Sequence, residues 1–360
     1  MLQRNIKSYF CIMPADEKYM RRCIELARLG AGEVSPNPMV GAVIVHNDQI
    51  IGEGYHQRYG QAHAEVNAVH QVLTNHANAA ELLQQATLFV SLEPCAHYGK
   101  TPPCADLIIK HGIPQVVVGC RDPFSAVNGK GLEKLQQAGV QVITNVLEAE
   151  CRQLNKRFFT RITKHRPYII LKWAQTADGF FAPDERRQFW ITNDASKRLV
   201  HQWRSEEDAI LVGKNTVQTD NPQLNVRYGG GKNPKRIVID RNLELGRELH
   251  VYDQSVETFI FNALKTDLEG NIKFIALEDF DRYVPQYILY QLYLQDIQSL
   301  IIEGGAATLN AFIEADLWDE ARIFTGTVML QSGIPAPVVK GASIKEHQVD
   351  TDRLQISYQH

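Results

Sequence analysis

The sequence predicts an α/β protein built as two domains. Three observations carry that expectation. Short Val- and Ile-rich runs alternate with segments of helical spacing, the pattern of sheets flanked by helices. The alternation pauses once, near residue 160, before a basic turn, Lys164-His165-Arg166-Pro167. The 360 residues also exceed what one hydrophobic core usually serves, about 250–300. The domains are therefore placed at 1–160 and 161–360.

In the first domain Tyr19, Met20, Cys23, Ile24 and Ala27 mark an amphipathic helix over 16–30, with Asp16 as its expected N-cap. Residues 40–45 read as a buried strand, and 49–54 as its hairpin partner across His46-Asn47-Asp48. A helix is expected over 62–72 and a strand over 87–91, running into Leu92-Glu93-Pro94-Cys95. The helix expected at 105–111 stops at Gly112, a strand follows at 116–119, and the helix at 132–138 again ends at a glycine. A strand over 140–144 completes the set, with helices on both faces of one sheet. One connecting helix over 148–161 leads to the second domain. Strands are expected there at 168–173, 209–213, 236–240, 258–261, 299–302 and 322–325, and Gly229-Gly230-Gly231 marks a flexible loop.

With 44% apolar and 22% charged residues and a formal net charge of −3, the chain lacks the basic balance of a nucleic-acid-binding surface. No apolar run approaches the roughly 20 residues that span a bilayer, and the apolar patch at 9–13 is too short for a signal segment. The six cysteines, Cys11, Cys23, Cys95, Cys104, Cys120 and Cys151, are too sparse for a disulfide framework. A cytoplasmic protein with mostly reduced thiols is expected.

His63-Ala64-Glu65 stands at the start of a predicted helix, where His63 can bind a metal and Glu65 can act as proton carrier. Alone the triplet is weak, because such spacings arise by chance. Pro94-Cys95 closes a strand, however, and Cys104 follows Pro102-Pro103 at the next helix start, where the helix dipole favours a thiolate. One imidazole, two thiolates and an open fourth position describe a catalytic zinc site rather than a structural one. His-x-Glu followed by Pro-Cys-x-x-Cys is the signature of zinc deaminases. Here eight residues, AHYGKTPP, separate the cysteines instead of two. His97 within that loop is either a rival ligand or a loop contact.

The segment Glu93-Pro94-Cys95-Ala96-His97-Tyr98-Gly99-Lys100-Thr101-Pro102-Pro103-Cys104 closely resembles the bifunctional riboflavin-biosynthesis deaminase–reductase family. So do Pro36-Asn37-Pro38-Met39-Val40-Gly41 and Gly52-Glu53-Gly54-Tyr55-His56, and the likeness runs from about residue 16 to the C-terminus. The resemblance implies a cytidine-deaminase-like three-layer α/β/α domain followed by a dihydrofolate-reductase-like α/β domain. It implies zinc-dependent hydrolytic deamination of 2,5-diamino-6-(5-phosphoribosylamino)pyrimidin-4-one. NADPH-dependent reduction of the ribosyl chain of 5-amino-6-(5-phosphoribosylamino)uracil to ribityl would follow. The partners implied are these small molecules, with no nucleic acid and no membrane, in a homo-oligomer (dimer or tetramer). Asn37 and His56 would hold the pyrimidine, while His63, Cys95 and Cys104 bind zinc and Glu65 shuttles protons. Asp122-Pro123 also matches, but Phe124-Ser125-Ala126-Val127-Asn128 departs from the family's Asn-Pro run.

By itself the second domain offers little beyond Ile302-Glu303-Gly304-Gly305-Ala306-Ala307-Thr308. That strand, glycine turn and helix start either presents N–H groups to a phosphate or is a plain connection. No Gly-x-Gly-x-x-Gly follows a strand, which argues against a Rossmann fold. The resemblance implies that Ala174, Trp190, Thr216, Asp220, Gly305, Ala306, Ala307 and Thr308 line the cofactor. It implies that Gln188, Arg204, Leu224, Arg227 and Glu303 face the substrate, with the two arginines on its phosphate. Lys172 or Asp220 would supply a proton as the sugar ring opens. Arg241, just after a strand, either meets a 2′-phosphate or is solvated. Two departures, Gln188 for the usual serine and Thr176-Ala177-Asp178-Gly179 for Ser-Leu-Asp-Gly, read as drift. The rival readings are a deaminase with an inactive reductase domain, a nucleic-acid-editing deaminase, and a protein whose zinc is purely structural.

Overall fold

This computed structural model describes residues 15–98, 102–185, 187–341 and 343–359. The apolar patch at 9–13, Cys11 and Gly99-Lys100-Thr101 lie outside the described residues. The chain divides into two compact units, Met1–Lys156 and Arg157–His360.

The first unit runs α1 (Ala15–Arg28), β1 (Gly41–His46), β2 (Gln49–Tyr55), α2 (Ala64–Asn75), α3 (Ala79–Leu83), β3 (Thr87–Leu92), α4 (Cys104–Lys110), β4 (Gln115–Cys120), α5 (Lys130–Gln137), β5 (Gln141–Ile143) and α6 (Glu148–Leu154). Its five-stranded sheet has the order β2-β1-β3-β4-β5. β1 pairs antiparallel with β2 and β3, whereas β3, β4 and β5 run parallel. Alternate residues of a strand face opposite ways. Ala42, Ile44, Leu88, Val90, Val116 and Val118 therefore share one face, packed on Ala68, Val72, Ile108 and Leu135 of the helices α2, α4 and α5. On the other face Phe89 meets Tyr19 of α1, ring centroids 5.0 Å apart, and α6 covers β4. The result is three layers, α/β/α.

Two expectations are corrected here. Asp16 is not an N-cap but lies with Glu17 inside the first turn of α1, where negative charge complements the helix dipole. The connecting helix is broken in two at Asn155, before α7 (Lys156–Lys164). Asn155 is buried, and its amide both accepts from Met39 N–H and donates to Met39 C=O, each at 2.8 Å. Asn155 is the C-cap of α6, with φ −102° and ψ 22°.

The second unit continues with β6 (Tyr168–Gln175), β7 (Phe180–Ala182), α8 (Asp194–Glu206), β8 (Ala209–Gly213), α9 (Lys214–Asp220), β9 (Lys235–Ile239), β10 (Thr258–Asn262), β11 (Asp267–Glu269), β12 (Ile272–Ala276), α10 (Val284–Leu294), β13 (Ser299–Ile302), α11 (Ala306–Glu314), β14 (Glu320–Thr325), β15 (Ile334–Pro335), β16 (Ser343–Val349) and β17 (Asp352–Tyr358). Ten strands form one sheet in the order β11-β12-β10-β9-β8-β13-β6-β14-β17-β16. Ile169, Leu171, Leu211 and Phe259 face α10 and α11, while Ile170 and Ile301 pack on Val200 and Trp203 of α8. The parallel strands from β6 to β10 end on one side, and at that side open sheets gather ligands.

Candidate functional site

In the first unit the ends of three elements converge. His63 is the N-cap of α2, with extended backbone (φ −73°, ψ 166°) and no capping bond from its side chain, so the imidazole is left for another partner. β3 delivers Glu93-Pro94-Cys95, and α4 begins at Cys104. His63 Nδ1 lies 3.3 Å from Cys104 Sγ and 3.7 Å from Cys95 Sγ. The three donor atoms lie within 4.8 Å of one another. Bonds of about 2.0–2.3 Å to a tetrahedral zinc fit donors at that spacing, and an imidazole with two thiolates is a zinc donor set. Among the described residues no fourth His, Cys, Asp or Glu joins the group. His97 stands outside it, exposed, with its ring 6.0 Å from that of Phe124.

The three donors share protons: the Cys95 hydrogen bond and burial push the Cys104 thiol up, and the Cys95 hydrogen bond raises His63. A hydrogen bond from the Cys104 thiol, reinforced by His63, holds the Cys95 thiol well below its ordinary range. Glu65, in the first turn of α2, is 3% exposed, and burial pushes its carboxyl up. His56 is also buried. Its Nδ1 faces the Ala62 carbonyl at 3.1 Å and its Nε2 faces Asn37 Nδ2 at 3.2 Å. A carbonyl on one side and an amide donor on the other select the tautomer with the proton on Nδ1. Burial lowers the His56 pKa, consistent with that neutral ring.

Sequence reasoning passed over Glu93. Its buried carboxylate accepts the backbone N–H groups of Asp122 (3.3 Å), Gly129 (3.0 Å) and Gly131 (3.1 Å). The divergent stretch 124–128 is thus pinned on both flanks. Asp122 in turn accepts from Phe124 N–H at 2.8 Å, and burial pushes its carboxyl up to about 7. An acid before Pro94-Cys95 was the available signal, but its partners lie 29 to 38 residues away.

In the second unit two cavities open at the strand ends. The larger, about 730 Å³, is walled by Lys172, Ala174, Arg241, Gly305, Ala306, Ala307 and Thr308. The smaller, about 500 Å³, is walled by Arg204, Leu224 and Arg227. Gln188, Trp190, Thr216, Asp220 and Glu303 line both. The residues given cofactor or substrate roles in this domain therefore all border these two cavities. The turn before α11 is fixed by close approach: a Cβ on Gly304 would stand 2.6 Å from Val212 Cα and from Gly213 N. Thr216 Oγ1 accepts from Gly305 N–H at 2.8 Å. Gly305 is the N-cap of α11, and Ala306, Ala307 and Thr308 of its first turn border the larger cavity, where a helix start can receive an anion.

The two arginines stand differently. Arg204, expected on a phosphate, instead grips Glu303 with its fork, Nε to Oε1 at 3.0 Å and Nη2 to Oε2 at 2.8 Å. Burial alone would push the Glu303 carboxyl up, yet Arg204 and then Lys172 hold it down to about 2. Lys172 Nζ stands 3.7 Å from Glu303, and burial lowers its pKa. Arg227 remains exposed at the mouth of the smaller cavity. Asp220 stands at the rim, its carboxyl raised by partial burial. Arg241 pairs with Asp281 at 2.6 Å on the wall of the larger cavity.

Residues 13–120 match the family described as cytidine and deoxycytidylate deaminase zinc-binding region, and residues 167–355 match the RibD C-terminal domain. Fold and sites thus define a deaminase joined to a reductase. The riboflavin biosynthesis protein RibD of Aquifex aeolicus is 39% identical over 342 residues, covering 93% of both chains. That of Bacillus amyloliquefaciens is 37% identical, covering 95% of this chain and 92% of its own. A crystal structure of a diaminohydroxyphosphoribosylaminopyrimidine deaminase/5-amino-6-(5-phosphoribosylamino)uracil reductase from Thermotoga maritima superposes with a TM-score of 0.86 at 36% identity, covering 96% of this chain and 99% of that one. The chain belongs to the RibD family of bifunctional riboflavin-biosynthesis enzymes.

Proposed function

We propose that the first unit hydrolyses the amino group of 2,5-diamino-6-(5-phosphoribosylamino)pyrimidin-4-one. The second would then reduce the ribosyl chain of the resulting 5-amino-6-(5-phosphoribosylamino)uracil to ribityl with NADPH. The observation that carries the reading is the gathering of His63, Cys95 and Cys104 within 4.8 Å beside the buried Glu65. The three would hold zinc, which supplies Lewis acidity and a nucleophilic water near neutral pH. Glu65 takes the proton of the attacking water and returns it to the departing amino nitrogen. Asn37, oriented by the neutral His56, hydrogen-bonds the pyrimidine edge.

In the second unit the nicotinamide cofactor supplies hydride, and Ala174, Trp190, Thr216 and the 305–308 helix start bind it. Arg241, on the wall of the larger cavity and paired with Asp281, would turn from that partner to a 2′-phosphate and so favour NADPH over NADH. Arg227 takes the substrate phosphate, and Gln188, Leu224 and Glu303, braced by Arg204, shape its sugar site. Lys172, with its pKa lowered by burial, donates the proton as the ribose ring opens; Asp220 at the rim is the alternative donor. The working form is a homo-oligomer (dimer or tetramer) acting on small molecules. No helix among the described residues is long and apolar enough to cross a membrane. A two-step assay tests the reading, following ammonia release and NADPH oxidation separately. Folded, zinc-loaded protein that leaves the diaminopyrimidinone untouched would overturn it.

A further inference from the structure

We propose that His201 is a positioning residue of the reductase, holding Arg227 by its backbone at the place where the substrate phosphate is gripped. The inference rests on the reading of Arg227 as the phosphate ligand. His201 is 3% exposed and sits on α8 three residues before Arg204, hence on the same helix face. Its Nδ1 accepts the backbone N–H of Arg227 at 3.2 Å. Its ring stands edge-on to Tyr228, centroids 4.9 Å apart at 77°. His201 lines neither cavity, so it acts through Arg227 and not on the substrate.

The loop that carries Arg227 needs such a hold. After Tyr228 comes Gly229-Gly230-Gly231, with φ of +83° at Gly229 and +125° at Gly231. Ordering glycine costs more backbone entropy than ordering any other residue. The stretch before it is anchored by the buried Leu224 and by Arg204 Nη1, which donates to Asn225 C=O at 3.3 Å. α8 therefore seizes the loop at two successive points, Arg204 on the Asn225 carbonyl and His201 on the Arg227 amide. Arg227 Nη1 donates to Asn225 Oδ1 at 3.0 Å, which aims the guanidinium along the same segment. Burial, with the charges of Arg204 and Arg227, lowers the His201 pKa to about 4, so the ring is neutral at pH 7, and the facing Arg227 amide selects the tautomer with the lone pair on Nδ1. An apolar side chain of equal volume would fill the space but leave the amide without its acceptor.

The test uses the full chain and two substrates, 5-amino-6-(5-phosphoribosylamino)uracil and its dephosphorylated counterpart. His201→Phe keeps a ring and removes the acceptor, whereas His201→Asn returns an oxygen near the position of Nδ1. His201→Phe should raise KM for the phosphorylated substrate about tenfold, with kcat within about twofold, the effect of one lost hydrogen bond. KM for NADPH and for the dephosphorylated substrate should hold, and His201→Asn should restore most of the loss. If His201→Phe fails to fold, His201→Gln takes its place with the same expectation, since its amide reaches past Nδ1. Arg227→Ala separates the two ideas. If it raises KM only for the phosphorylated substrate while the His201 variants raise both or neither, the role of His201 is overturned. If it treats both substrates alike, the reading of Arg227 falls and that of His201 with it.

Discussion

Arg204 closes on Glu303 as a two-pronged ion pair, with both contacts at 3.0 Å or less and both side chains largely buried. The pair joins α8 to the end of β13, and Lys172 is the next cation, at 3.7 Å. Arg204→Ala should therefore leave a buried carboxylate short of its main partner. The expected loss is about 3–5 kcal/mol in the second unit, read by urea unfolding. A loss below about 1 kcal/mol would show that the pair does not brace the site.

The same pair predicts an acid limb. Glu303 is held at about 2 in the fold against an ordinary 4.5. Between these values the unfolded chain binds the proton and the folded chain does not, so stability rises with pH there. The contribution is complete above about 4.5 and is lost as pH falls toward 2. Melting curves from pH 6 to 3 should show a shallower acid decline for Glu303→Gln than for the parent protein. Parallel declines would remove Glu303 from the account.

Glu65→Gln keeps the size of the side chain and abolishes its proton traffic. Bound zinc should remain near one per chain while ammonia release falls about 10²–10⁴-fold. Retained deamination would take Glu65 out of its proposed role.

Chelation should separate the two activities. Removing zinc should stop ammonia release, while reduction of preformed 5-amino-6-(5-phosphoribosylamino)uracil continues, because the reductase cavities contain no residue of the His63, Cys95, Cys104 group. Loss of both activities together would point to a structural metal.

The metal group was legible because its chemistry is written in neighbouring residues: a histidine at a helix start, and cysteines after a strand and before a helix. So were most strands on which burial imposes apolar runs, β12 and β17 excepted. β16 was not, because 344–348 is exposed throughout and carries no apolar alternation. The break at Asn155 depends on Met39, 116 residues earlier. The pairing of Arg204 with Glu303 spans 99 residues, and each side chain alone looked like a ligand for substrate. Residue types show what chemistry is available; which groups neutralise each other is decided by the fold.

The wall common to the two reductase cavities has a thermodynamic consequence. Gln188, Trp190, Thr216, Asp220 and Glu303 border both spaces, so whatever fills one becomes part of the boundary of the other. On the proposed reading, nucleotide and sugar phosphate would meet across that wall. Whatever factor one changes in the other's dissociation constant, it receives back, because coupling free energy is reciprocal. Oxidised nucleotide left behind after turnover would carry that same coupling to the ribityl product, and the order of release would follow from its sign.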